Sequence, residues 1–171
     1  MATRQILTAP DPILKQVSKP VQSVDDNLRA LMDEMLETMY EAPGIGLAAI
    51  QIGVPKRLIV MDLSGEEEEA DPRYFVNPEI TWHADEFALY QEGCLSVPEH
   101  YADVERPKEV NVKFLDYAGK PQKLEAEELL ATCIQHEIDH LNGILFIDHL
   151  SGVKRNIIVR KLVKARKLEE V

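Results

Sequence analysis

Gln135-His136-Glu137-Ile138-Asp139-His140 is the stretch around which the rest of the chain is placed. His-Glu-x-x-His spacing on a helix sets His136 and His140 one turn apart on one face, where two imidazoles can share a metal ion. Glu137 lies beside them, able to handle the proton of an attacking water. Glu127 and Glu128 suit the first turn of this helix, at the positive end of its dipole. Asn142-Gly143 predicts a left-handed end. The motif points to a metal and, by itself, less narrowly to a reaction.

Working outward, Ser151 caps a final helix to about residue 168, with Ile157, Ile158, Leu162 and Val163 as its buried side. Upstream, 101–105, 109–115 and 122–126 alternate as strands, with a hairpin turn over 116–121. Residues 74–78 and 80–90 predict further strands, and 56–63 a buried one followed by an acidic loop over 65–71. Ser23 or Asp25 caps a helix whose Leu28, Leu31, Met32, Met35, Leu36 and Met39 have core spacing and which Pro43-Gly44 ends. A turn at Thr8 leads into a short helix that stops before Pro20. Between these lies Gly44-Ile45-Gly46-Leu47-Ala48-Ala49-Ile50-Gln51, a loop whose backbone approaches something closely before it enters a short buried strand. Gln51 is an isolated amide in an apolar run, suited either to a buried backbone group or to chemistry. No repeat or linker interrupts the pattern. The expectation is a single α+β domain over 1–171, with mostly antiparallel strands packed around a central metal-binding helix and a C-terminal helix.

A chain of 171 residues can bury a sizeable core. A net charge of −11 argues against general binding to DNA or to anionic membranes. Residues 151–171 depart from this, with seven Lys or Arg against Glu169 and Glu170, so that segment is +5 and the rest −16. A solvated helix face accounts for the basic segment, and contact with a polyanion such as ribosomal RNA is the alternative. Two cysteines make no disulfide framework, and neither a secretory signal nor a long apolar run is present. The expectation is a soluble cytoplasmic protein. An organellar one that has lost a transit peptide would read the same way, although Met1-Ala2-Thr3-Arg4 is too short to be such a peptide.

A catalytic metal site takes three protein ligands, so two histidines are too few. Thermolysin-like proteases use a downstream Glu, but none occurs between Glu137 and Glu169. Metzincins use a further His at the position where Phe146 stands, and His149 falls three residues too far. Two cysteines remain: Cys94, in a glycine-led turn between strands, and Cys133, one turn ahead of His136. The helical stripe that carries residues 133, 136 and 140 favours Cys133 lining a pocket, with Leu129, over converging on the ion.

Gly44-Ile45-Gly46-Leu47-Ala48-Ala49-Ile50-Gln51, Glu92-Gly93-Cys94-Leu95-Ser96 and the opening stretch together resemble, in order and approximate separation, the three signature motifs of the peptide deformylases. The resemblance covers nearly the whole chain. It implies a metal-dependent hydrolase that removes the N-formyl group from nascent peptides beginning with formyl-methionine. It further implies Cys94, His136 and His140 as metal ligands and Glu137 as general base and acid. Gln51 and the Leu95 N–H would receive the oxyanion, and Ile45, Gly46, Leu129 and Cys133 would line the substrate pocket. One divalent ion per chain is implied, Fe(II) in cells, with Zn, Ni or Co able to take its place. N-formyl-Met nascent peptides are the implied partner of a monomer that binds neither DNA nor membrane, with transient ribosome contact through the basic C-terminal helix. Ile50 lies in a variable motif position. Tyr101 stands in a region where some members carry Arg, which bears on peptide contacts and leaves the chemistry untouched.

Overall fold

The computed structural model describes residues 3–169, so Met1, Ala2, Glu170 and Val171 of the stretches read above lie outside the described residues. Helix α1 (Asp26–Glu41) begins where the Asp25 carboxylate accepts from the Leu28 N–H at 2.9 Å, which chooses Asp25 over Ser23 as its cap. Its buried stripe of Leu28, Met32, Met35 and Met39 covers one face of a sheet. That sheet has the order β1 (Gly46–Ala48), β2 (Leu58–Met61), β3 (Arg73–His83), β6 (Glu109–Leu115), β7 (Pro121–Glu127), and every pairing in it is antiparallel. Alternation along β2 turns Leu58 and Val60 toward α1 and Ile59 and Met61 toward the opposite face. There helix α2 (Glu128–Leu141) packs with Ala131, Ile134, Ile138 and Leu141.

A separate two-stranded ribbon, β4 (Phe87–Cys94) with β5 (Val97–Pro107), packs with helix α3 (Gly152–Glu169) and the 3-10 turn Phe146–His149 around a third apolar cluster. Helix α2 buries ten of its fourteen residues, and its buried polar members apart from Thr132 are those of the opening motif. The helix is therefore the centre of the fold, as expected. Gly143 takes the left-handed conformation after it, at φ 76°. Glu127, expected in the first turn, instead ends β7, and Glu128 begins the helix.

Three further expectations are corrected. Residues 80–90 are not one strand: β3 ends at His83, and a bend over 84–86 separates it from β4. Gln51 lies not on a strand but in the 3-10 turn Ala49–Ile52 that follows β1. Ile157 is 45% exposed, because α3 docks through the narrower stripe of Ile158, Val159 and Leu162.

Candidate functional site

Strand β4 delivers Cys94 as its last residue, and α2 delivers His136 and His140 on one face. Their ligand atoms all lie within 4.8 Å of one another, with His140 Nε2 3.3 Å from Cys94 Sγ. One sulfur and two imidazoles suit a single divalent transition-metal ion, and three protein ligands are the count of a catalytic centre. Cys133, the other cysteine considered, is outside this cluster and lines the neighbouring cavity.

The thiol of Cys94 is set by the tight turn Leu95-Ser96 between β4 and β5. The Ser96 N–H points at Sγ from 3.4 Å and the Gln51 amide from 3.6 Å, so donors face a sulfur that must carry negative charge to bind a metal. Gln51 is pinned at both ends: Oε1 accepts from Ala48 N–H at 2.9 Å and Nε2 donates to Ser96 Oγ at 3.0 Å. The amide thus satisfies a buried backbone group and also faces the ligand cluster.

Two glycines make the site possible. A Cβ on Gly46 would overlap Glu137 Oε2 and come within 3.2 Å of Cys133 Sγ, so only glycine lets β1 pass this close to the carboxylate. A Cβ on Gly93 would stand 2.6 Å from the Tyr101 ring, which lies across the strand. Glu137 itself is 4% exposed, and its Oε1 is buried without a protein partner. Burial pushes its carboxyl up to about 7, against the opposing pull of His136 and Arg106.

A cavity of about 630 Å³ opens in front of the cluster. Its walls include Ile45, Gly46, Leu95, Leu129, Cys133 and Glu137. Gln51 and His140 stand behind that wall, 1% and 0% exposed. Ile45 and Leu129, 47% and 46% exposed, flank the cavity as apolar lips.

Behind the histidines lies a charged network that sequence reasoning missed. Glu92 accepts from His136 Nδ1 at 2.9 Å and from Arg106 at 2.7 and 3.0 Å. Arg106 also donates to Asp139 at 2.8 Å, and His149 meets the same Asp139 oxygen at 2.8 Å. The Glu92 contact fixes the His136 tautomer with the proton on Nδ1 and frees Nε2 for a metal. Burial alone would raise the Glu92 carboxyl, but hydrogen bonds from His136 and Arg106 outweigh it and hold the group below its usual range. Burial likewise opposes a charge on His136, yet Cys94, Glu92 and Glu137 raise its pKa well above the ordinary value. Burial and then the charge of His136 push His140 well below it. Phe146 stacks on the His136 ring at 6.2 Å between centroids. One signal for the network was present: Glu92 and Arg106 are charged residues at inward-facing positions of alternating strands.

The polypeptide deformylase family model matches residues 3–156. The chain belongs to this family. The peptide deformylase of Phenylobacterium zucineum is 65% identical over 98% of this chain and 99% of its own length. That of Rhizobium meliloti is 56% identical over 98% and 96%. The crystal structure of the Ehrlichia chaffeensis peptide deformylase superposes with a TM-score of 0.94 at 38% identity, covering 99% of this chain and 100% of that one. A second structure from that organism, in complex with actinonin, gives 0.92 at 41% identity over 96% and 98%. Peptide deformylases are metal-dependent hydrolases that remove N-formyl groups from nascent peptides.

Proposed function

We propose that residues 1–171 form one catalytic domain that removes the formyl group from the amino-terminal formyl-methionine of new polypeptides and releases formate. Cys94, His136 and His140 hold one divalent ion, Fe(II) in cells, and Zn, Ni or Co can take the same donors. The observation that carries this reading is Glu137: a buried carboxylate with a free oxygen and a pKa near 7, beside three metal-type ligands at the foot of a cavity. Bound to those ligands, a divalent ion would lower the pKa of a water and polarise the formyl oxygen.

The chain's own groups perform the remaining steps. Glu137 accepts the proton of the attacking water on its free oxygen and delivers it to the leaving amine. A pKa near 7 keeps both forms populated at neutral pH, as the two transfers require. The Gln51 amide and the Leu95 N–H donate to the formyl oxygen as it gains charge, each donor contributing about 3–4 kcal/mol by analogy with other acyl transfers. Ile45, Leu129 and Cys133 receive the methionine side chain, a flexible apolar group suited to their shape. Strand β1 ends the sheet, so its backbone at Gly46 can pair with the extended peptide.

The enzyme acts as a cytoplasmic bacterial monomer, with neither DNA nor membrane as partner. No helix among the described residues is long and apolar enough to cross a membrane. Basic α3, exposed at Lys154, Arg160, Lys161, Lys164, Arg166 and Lys167, supports transient contact with ribosomal RNA.

The test is formate release from a formyl-Met tripeptide by anaerobically purified protein of measured metal content. An unformylated, internally quenched peptide serves as the comparison. Cleavage of the quenched peptide without formate release would make the protein an endopeptidase. Cys94→Ser should lower metal content or change metal preference, and unchanged stoichiometry and affinity would remove Cys94 from the ligand set.

A further inference from the structure

The β4–β5 ribbon has one face turned inward, with Glu92, Val104 and Arg106, and one turned to solvent. Strand alternation places Phe87, Leu89, Gln91 and Gly93 on the outer face. Their register partners there are Pro107, Glu105, Asp103 and Tyr101. Phe87, Leu89 and Tyr101 are 55%, 63% and 67% exposed, a concentration of large apolar groups on one short ribbon. Gln91, Gly93 and Tyr101 also belong to the wall of the cavity. This outer face therefore starts inside the candidate active site and runs outward along β4 for about 20 Å at roughly 3.4 Å per residue, with the polar Gln91–Asp103 pair between Tyr101 and the apolar Leu89 and Phe87.

We propose that this outer face extends the substrate groove and holds the nascent chain beyond its third residue, as an extended segment of apolar and basic side chains. The proposal rests on the deformylase reading of the cavity. Direction follows from position: Cys94 closes the inner end of β4, so a peptide with its formyl group there leaves past Tyr101, then Leu89, then Phe87. The strip is long enough for about six extended residues, each spanning roughly 3.3 Å. Leu89 and Phe87 offer apolar surface. Asp103 and Glu105 form no ion pair among the described residues and so favour Lys or Arg between the apolar contacts. The same carboxylates disfavour the two other kinds of occupant. Ribosomal RNA would bring phosphates against them, and a second copy would bring a chain of net charge −11.

The test compares formyl-Met tripeptides with formyl-Met octapeptides that carry Leu and Lys, or Leu and Glu, at positions four to eight. With the metal-loaded protein, kcat/KM for the Leu/Lys octapeptide should exceed the tripeptide value about tenfold, the ratio set by about 1.4 kcal/mol. The Leu/Glu octapeptide should gain less. Phe87→Ser with Leu89→Ser should remove the gain and leave tripeptide turnover within about twofold, since both side chains are exposed and outside the cavity wall. A wild-type protein that treats all lengths alike, or a gain that survives the double substitution, would overturn the proposal. Fluorescence anisotropy with the same labelled peptides reads the strip even if no tripeptide is hydrolysed, so failure of the activity reading is distinguishable from failure of the strip. Equal affinity for short and long peptides overturns the proposal there too. A dimer in sedimentation that the double substitution dissolves, with no effect of peptide length, would give the strip to a second copy instead.

Discussion

Two buried carboxylates flank His136, and almost everything about them differs. Glu92, 5% exposed, spends its oxygens on His136 and on the Nε and Nη2 of Arg106. Glu137, 4% exposed, keeps one oxygen without a partner and faces the cavity. Their neighbours drive them apart: the paired carboxyl is held down and the unpaired one is pushed up to about 7. Such a separation assigns roles, the first to holding charge and geometry and the second to moving a proton. The region behind His136 is thus satisfied, while the one in front stores the cost of burying a charge that chemistry will use.

The largest effect should come from Glu137→Gln. With metal retained, deformylation should fall roughly 10²- to 10⁴-fold, the usual contribution of a positioned acid–base group. Turnover near the parent level would end the general-base role. Stability should move the other way in metal-free protein. The folded carboxyl titrates near 7 and the unfolded one near 4.5, so the folded state binds more protons between those values and stability falls as pH rises through them. Glu137→Gln removes that penalty, so the substituted apoprotein should be more stable at pH 8 by about 3 kcal/mol and no different at pH 4. Chemical denaturation at the two pH values checks both the magnitude and its sign.

Breaking the rear region should cost stability at once. Arg106→Leu leaves buried Glu92 and part-buried Asp139 each with one partner fewer, a loss of about 3–5 kcal/mol and a fall in Tm of roughly 10 °C. The Glu92 carboxyl is held below its unfolded value, so its contribution is present above about pH 4.5 and lost as pH falls through the folded value. Without Arg106 the acid limb of the stability curve should flatten. Adding Glu92→Met should recover part of the loss, because the pair is then replaced by apolar groups. A double variant less stable than the sum of the two single changes would show that Glu92 matters more to His136 than to Arg106.

The two regions were not equally legible in the sequence. The front is built from motif residues: His136 and His140 share a face by helical spacing alone, and Gly46 announces a close approach that proved to be Glu137 and Cys133. The methionine stripe of α1 likewise follows from period and composition. The rear was hidden because its pairs join positions brought together only by the ribbon packing on α2. Glu92 and Asp139 stood inside quoted motifs without a role, and Arg106 stood outside them. The strand reading failed at Ala84-Asp85-Glu86, which bends the chain without a glycine or proline and so read as continuous strand. The Ile157 expectation failed because helical period fixes an apolar stripe but not how much of it a neighbour covers.

His149 marks where the rear region meets solvent, and it should yield the smallest effect. Its ring nitrogen lies 2.8 Å from Asp139, but the side chain is 36% exposed and Arg106 holds the same carboxylate oxygen from the buried side. Water can replace a half-exposed donor, so His149→Phe should cost no more than about 1 kcal/mol. That corresponds to a fall in Tm of roughly 2–4 °C, with metal affinity changed less than about threefold. Thermal melts and a chelator competition measure the two quantities. A loss as large as that from Arg106→Leu would mean that the charge of Asp139 is balanced from the solvent side, and the satisfied region would then extend to the surface rather than end at Arg106.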